Sequence, residues 1–220
     1  MSGTDTNTQE IFWRISQWFP MLPPLSITLL KIYHEELIKF NKNLNLVSPK
    51  TIPNADNVHF ADSIYAAQIV REKVNQNDYL YDLGSGNGFP GLVYSMMYPN
   101  QKMVLVDSDE RKCEFLKHVI AACKLHNVAV FNKKIETLGD NIINQAICRG
   151  YAPLPFALLT LRKICANGAK IYHLKSDEWS IEVSQIPTQL CSIWQPELVG
   201  QYRLPASDAN MSVVCTEKIG

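Results

Sequence analysis

The segment Asp82-Leu-Gly-Ser-Gly-Asn-Gly-Phe-Pro-Gly91 constrains this chain more than any other. Its four glycines fall within eight residues, directly after the short apolar run Tyr79–Leu83. Glycine lets the backbone take positive φ and approach a ligand closely. A strand that empties into such a loop ahead of a helix therefore reads as a ligand-binding strand–turn–helix rather than an ordinary turn. Pro90 suits the first turn of the following helix, where no amide donor is lost.

The ligand has to be read from the surroundings of the loop. Gly86-Asn-Gly88-Phe-Pro-Gly91 satisfies GxGxxG, so a nicotinamide-dinucleotide-dependent oxidoreductase stands as an alternative. In that fingerprint the first glycine follows the strand closely, whereas here Asp82-Leu-Gly84 intervenes. An acid at the strand tip would repel a pyrophosphate. It suits S-adenosyl-L-methionine (AdoMet), which carries a sulfonium and an α-ammonium and no phosphate. Asp107 closes the next strand about 20 residues on, where a carboxylate can accept from both ribose hydroxyls. Capping the following helix is its competing role, and Ser108 or Asp109 can fill that instead. Glu136 follows the third strand and can accept from the adenine amino group, with Ile135 packed on the ring. Three acids after three successive strands point to one nucleoside pocket. A non-catalytic AdoMet-binding module is the third reading.

Around the loop, periodicity predicts the elements. Residues 10–47 read as helical, broken by Pro20, Pro23 and Pro24. Ile11, Phe12, Ile15, Trp18 and Phe19 sit at helical spacing, and Trp13, Trp18 and Phe19 read as core. A second helix runs from about Ser26, its cap, to about Asn41, with the stripe Ile27, Leu30, Tyr33, Leu37 and Phe40. Ser48–Pro53 is a turn, and a further helix covers Val58–Val70. Beyond Asn77 strands and helices alternate: Tyr79–Leu83, helix Leu92–Tyr98, Lys102–Asp107, helix Glu110–His126, Val128–Phe131, Ala146–Cys148, helix Pro155–Cys165, Ala169–Leu174, and strands near Ser192–Val199 and Met211–Thr216. Such alternation implies an α/β fold with a parallel sheet, ligands binding at the strand C-terminal ends. The expectation is a Rossmann-like class I AdoMet-dependent methyltransferase sheet (76–220) with an N-terminal helical cap (1–75).

Composition narrows the class. Of 220 residues, 46% are hydrophobic and 19% charged, the balance of a globular protein and not a disordered one. No apolar run approaches the roughly 18 residues of a membrane span. Met1–Glu10 is polar and lacks the basic and apolar regions of a secretory signal, so a frayed tail and a cytoplasmic protein are expected. The six cysteines form no CxxC and have no histidine at ligand spacing, so free buried thiols and no metal are expected. A formal net charge of zero argues against a generic polyanion binder but allows a local basic face. Lys42, Lys50, Arg111, Lys112, Lys133, Lys134, Arg162, Lys163 and Lys175 are the candidates for it, though most read as solvated.

A family resemblance rests on motifs in order. Phe40-Asn-Lys-Asn-Leu-Asn-Leu-Val-Ser48 resembles W-N-x-x-x-N-L-T, and His59-Phe-Ala-Asp62-Ser63 resembles H-x-x-D-S. The loop Asp82–Gly91 includes the Pro-Gly end. Val106-Asp-Ser-Asp-Glu-Arg-Lys-Cys-Glu-Phe-Leu116 is similar to L-x-D-S…K-R…F-L, and Ile135-Glu136 to V-E. Cys148-Arg149-Gly-Tyr-Ala-Pro-Leu154 is similar to S-R-A-x-A-x-L, and Leu174-Lys175 to L-K-G. Together these resemble the RsmG (GidB) family of bacterial small-subunit ribosomal RNA methyltransferases, over residues 26–218.

That resemblance implies transfer of a methyl group from AdoMet to N7 of a guanine in 16S ribosomal RNA. The substrate would be the RNA or the 30S particle, and the chain is expected to act as a monomer. It implies cofactor contacts from Asp82, Gly84, Gly86, Phe89, Asp107, Ile135 and Glu136. Arg149 would sit at the pocket mouth beside cofactor and base, and Lys175 on the RNA side, both in the catalytic role. A structural ion pair with Asp82 or another rim acid is the competing role for Arg149. His59 and Asp62, one helical turn apart, read as a structural hydrogen-bonded pair. Cys148, Gly150-Tyr151, Ser176 and Asn144 depart from the family pattern, the first three in the loop expected to face the substrate.

Overall fold

The computed structural model describes residues 10–220; the tail before Glu10 lies outside them. Short helix α1 (Ile15–Trp18) precedes α2 (Pro24–Leu44). A 3₁₀ turn at Pro49–Asn54 and a π-helical turn at Asp56–Ala61 then lead without a break into α3 (Asp62–Arg71). There follow β1 (Leu80–Leu83), α4 (Gly91–Met97), β2 (Met103–Asp107), α5 (Glu110–Ala122), β3 (Val128–Asn132), β4 (Ile143–Arg149) and α6 (Leu154–Ile164). The chain ends with β5 (Cys165–Ser176), α7 (Trp179–Ser184), α8 (Thr188–Cys191), β6 (Trp194–Arg203) and β7 (Asn210–Lys218).

One seven-stranded sheet has the order β3-β2-β1-β4-β5-β7-β6. The first five strands are parallel, and β7 runs antiparallel to both β5 and β6. The order reverses between β1 and β4, which leaves a crevice outside their C-terminal ends. Strand alternation assigns the two faces. Leu80, Leu105, Ile147, Tyr172 and Leu174 pack with Leu30, Tyr33, Phe60, Ile64 and Leu116 of the helices before β1 and of α5. Leu83, Val104, Val106, Ala146, Cys148 and Ile171 pack with Leu158, Leu161 and Ile164 of α6. The N-terminal helices thus share one continuous core with the sheet.

Several expected boundaries move. The first expected helix forms only at Ile15–Trp18. Helix α2 starts at Pro24, whose fixed φ favours the first helical position, and Ser26 is buried inside it, donating to Met96 O at 3.0 Å. Helix α5 stops at Ala122 because Lys124 turns left-handed at φ 51°. Asp109 caps its N-terminus, accepting from the amides of Arg111 and Lys112. Pro90 precedes α4 rather than entering it. β4, β5, β6 and β7 each extend beyond the expected apolar cores, since edge and rim positions carry polar residues. Helices α7 and α8 carry too few turns to show a period.

Gly91 opens α4 with no space for a side chain: a Cβ there would lie 2.4 Å from Leu105 Cδ2 and 2.5 Å from Asp82 Oδ2. Gly91→Ala is expected to destabilise the fold by about 1–3 kcal/mol through overpacking, read as a lower urea midpoint; an unchanged midpoint would contradict this packing.

Candidate functional site

The glycine loop leaves β1 and folds back over the end of β2. The amides of Gly84 and Ser85 both donate to Val106 O, at 2.9 and 3.0 Å. Ser85 Oγ donates to Asp82 O and accepts from the Val106 amide. Two carboxylates brace the loop. Asp107 Oδ2 accepts from the Gly86 amide at 2.7 Å, and Asp82 Oδ2 accepts from the Gly91 amide at 2.9 Å. Gly84 has a φ of 72°, a conformation side chains rarely adopt. The Tyr151 ring covers it so closely that a Cβ at Gly84 would stand 3.1 Å from Tyr151 Cδ2.

The helices before β1 hold the far side of the loop. Tyr33 donates to Asn87 O at 2.6 Å, and Asn87 Nδ2 donates to Leu46 O at 2.9 Å. Asn41 Oδ1 accepts the Val47 amide at 2.8 Å, which closes the turn after α2 and sets Leu46 in place. Phe89 is buried in an aromatic box, stacked on Tyr33 (4.9 Å) and His59 (5.3 Å) and meeting Phe60 edge-on (4.9 Å). Such pairs add to what area burial alone gives.

Between these walls opens a cavity of about 580 Å³ at the strand C-terminal ends, lined among others by Gly84, Gly86, Phe89, Asp107, Ile135, Glu136 and Arg149. That volume suits a cofactor-sized ligand. Val106 and Ile135 offer apolar surface beside the carboxylates of Asp107 and Glu136. Apolar contact for a purine, and acceptors for its amino group and for ribose hydroxyls, are what the nucleoside of AdoMet requires. The donor set therefore fits that group.

Arg149, at the tip of β4, is held from three sides. Nη1 donates to Asp62 Oδ2 at 3.0 Å and to Val58 O at 3.4 Å, and Nη2 donates to His59 Nδ1 at 3.4 Å. The guanidinium lies over the Phe89 ring, 5.1 Å from its centroid. Burial and the neighbouring Arg149 charge push His59 down to about 3, so its ring is neutral. Since Nδ1 accepts from Arg149, Nε2 carries the proton and donates to Thr51 Oγ1 at 3.1 Å. Among the described residues no acceptor meets the Arg149 Nε–H, and Arg149 is one of the residues that line the cavity.

Asp82, Lys175 and Cys148 do not line this cavity. Asp82 is fully buried beneath the loop and does not line the cavity. Lys175 does not line it either: Nζ donates to Ala152 O at 3.1 Å and to Glu182 Oε2 at 2.7 Å. The same Glu182 oxygen accepts the Leu154 amide, so Lys175 is a strut under the loop between β4 and α6. Cys148 points into the core under α6, with Sγ 3.1 Å from His173 Nδ1. Its departure from the family pattern is one of packing, whereas Tyr151 lines the cavity. His59 and Asp62 meet on Arg149 rather than on each other, and the acid that pairs with Arg149 is Asp62, not Asp82. Tyr151 lies in the loop expected to face the substrate, whereas Leu46 is an addition whose signal is its place in the Asn-Leu motif. Of the cysteines, Cys191 is exposed and the other five are buried thiols. Among the described residues no cluster of His, Cys, Asp or Glu could hold a metal, and no helix is long and apolar enough to cross a membrane.

A sheet of this order, with a braced glycine loop and carboxylates at successive strand tips, defines a class I AdoMet-dependent methyltransferase. Solved structures agree on the fold. A SAM-dependent methyltransferase from Aquifex aeolicus matches with a TM-score of 0.56 at 16% identity, covering 78% of this chain and 99% of that one. TYW2 of P. horikoshii, solved in complex with MeSAdo, matches with a TM-score of 0.54 at 18% identity, covering 79% and 64%. The family model for GidB, rRNA small subunit methyltransferase G, matches residues 26–199. The chain is 51% identical to ribosomal RNA small subunit methyltransferase G 3 of Bdellovibrio bacteriovorus over 95% of both chains. It is 33% identical to the corresponding protein of Paracoccus denitrificans over 71% of this chain and 79% of that one. The chain belongs to the rRNA small subunit methyltransferase G family. It is an enzyme, AdoMet is its methyl donor, and the dinucleotide alternative falls away.

Burial raises Asp82 to about 7, only partly offset by the Gly91 amide and the Arg149 charge, and its Oδ1 has no hydrogen-bond partner. A carboxyl whose folded pKa lies above its unfolded value stabilises the fold below about pH 4 and loses that contribution as pH rises towards 7. Asp82→Asn keeps an acceptor for Gly91 and removes the ionisation. Its stability relative to wild type is expected to rise between about pH 4 and 7 and level off above; parallel pH curves in chemical denaturation would contradict the assignment.

Proposed function

We propose that the chain methylates N7 of a guanine in small-subunit (16S) ribosomal RNA, acting in the cytoplasm as a monomer on the RNA or the 30S particle. Family membership carries the reaction and the RNA. The single structural observation behind the site is Arg149, which lines the cavity with its guanidinium over Phe89 and fixed by Asp62.

Bound AdoMet supplies an electrophilic methyl group on a sulfonium. Asp107 and Glu136 would hold its nucleoside, Ile135 would pack against the purine, and Gly84 and Gly86 would let the backbone approach. Guanine N7 has a lone pair and carries no proton, so no side chain has to act as a base. What the residues would contribute is placement of the nucleophile in a near-attack geometry, with reacting atoms about 3–3.5 Å apart in general. Arg149 serves this by donating to the guanine O6 acceptor, which lies beside N7 on the same base edge. To reach the rim the base must leave its stack. Lys175 acts indirectly, by holding Ala152 and through it the loop that carries Tyr151.

The test is methyl transfer from AdoMet to small subunits isolated from cells without this modification, followed by mass spectrometry of the digested RNA. The expected product is a single 7-methylguanosine; no incorporation, or a methyl on another atom, would overturn the reading. Arg149→Ala is expected to lower the rate at least about a hundredfold through lost placement, with the fold intact by circular dichroism. A full rate would remove the role given to Arg149.

A further inference from the structure

Asp62, which holds Arg149, is itself held. It is 2% exposed, and its two oxygens are divided: Oδ2 takes Arg149 and Oδ1 accepts from the Tyr202 hydroxyl at 2.7 Å. Tyr202 lies on β6, past the last residue covered by the family match. Its ring stacks on Tyr65, with centroids 5.2 Å apart at 26°. Tyr65 follows Asp62 at i+3 on α3, so one helix face presents both the stacking partner and the acceptor. β6 comes close to α3 because Gly200 has no side chain: a Cβ there would lie 2.7 Å from Ile69 Cδ1. The register shift between Leu198 and Gly200 turns the strand at that point. Tyr202 does not line the AdoMet cavity.

We propose that Tyr202 is a positioning residue for methyl transfer: its hydroxyl orients the Asp62 carboxylate, which keeps the Arg149 guanidinium over Phe89 at the cavity. The inference rests on the reading that Arg149 contacts the target base. A carboxylate with one oxygen unpartnered can rotate about its terminal bond, whereas one anchored at both oxygens cannot. The anchored form presents a single lone-pair direction to Nη1. The guanidinium then keeps one orientation at the cavity. Tyr202, Asp62, Arg149, His59 and Thr51 so form one hydrogen-bonded row, running from β6 through α3 and β4 to the 3₁₀ turn.

Tyr202→Phe keeps the ring and its stack and deletes only the hydroxyl. Single-turnover methyl transfer to small subunits, with enzyme in excess, is measured in wild type, Tyr202→Phe, Arg149→Ala and the double variant. AdoMet affinity by calorimetry and the urea midpoint are measured alongside. The expected result is a loss of about tenfold in rate for Tyr202→Phe, the size of one hydrogen bond to a charged group, with AdoMet affinity unchanged. In the Arg149→Ala background the same substitution is expected to cause no further loss, because its effect passes through Arg149. An unchanged rate in Tyr202→Phe, a loss explained by weaker AdoMet binding, or the same tenfold loss in both backgrounds would overturn the proposal. The last outcome would leave the role of Arg149 standing; a full rate in Arg149→Ala would remove both.

Discussion

The fold of the site depends on two carboxylates that accept from the backbone of one loop. Asp107 takes the Gly86 amide and Asp82 takes the Gly91 amide, from the tips of adjacent strands. A loop rich in glycine has the most backbone freedom to lose on ordering, and these bonds, with Phe89 sunk in its aromatic box, select one conformation. The rest follows in sequence. The fixed loop forms one wall of the cavity, Phe89 supplies the surface on which Arg149 lies, and Arg149 draws His59 and Asp62 towards β4. The helices before β1 are thereby part of the site as well as of the core.

The ion pair of Arg149 with Asp62 is nearly dry, with side-chain exposures of 18% and 2%. Buried pairs of this kind contribute little net stability, because desolvation offsets their attraction. Their value here is geometric. A planar fork held by a carboxylate, a carbonyl and a ring nitrogen has few alternative orientations. The π-helical turn Asp56–Ala61 carries Val58 and His59 to that fork, in keeping with the frequent placement of π-turns at functional sites.

Much of this was legible in the chain, for identifiable reasons. The glycine loop, Asp107, Ile135, Glu136 and Arg149 sit directly at or after strand ends, and the rule that ligands bind at strand C-terminal ends located them in one cavity. The errors concern which face a side chain takes. Asp82 is two residues from Leu80 and so shares its face, under α4; Cys148 is two from Ala146 and shares the face under α6. Strand alternation decides both faces, whatever motif lies nearby. Lys175 is held off the cavity by Glu182 on α7, a helix too short to show in the pattern. Tyr202 could not be found at all, since it joins Asp62 across 140 residues and no local periodicity reports such a contact.

The central claim is that the strand tips form one nucleoside site that faces Arg149. A crystal structure with S-adenosylhomocysteine, the demethylated form of the donor, tests it most directly. The account predicts ribose hydroxyls on the Asp107 carboxylate, adenine against Ile135 with its amino group at Glu136, and the sulfur turned towards Arg149. A nucleoside seated away from Asp107 and Glu136, or a sulfur facing away from Arg149, would contradict it.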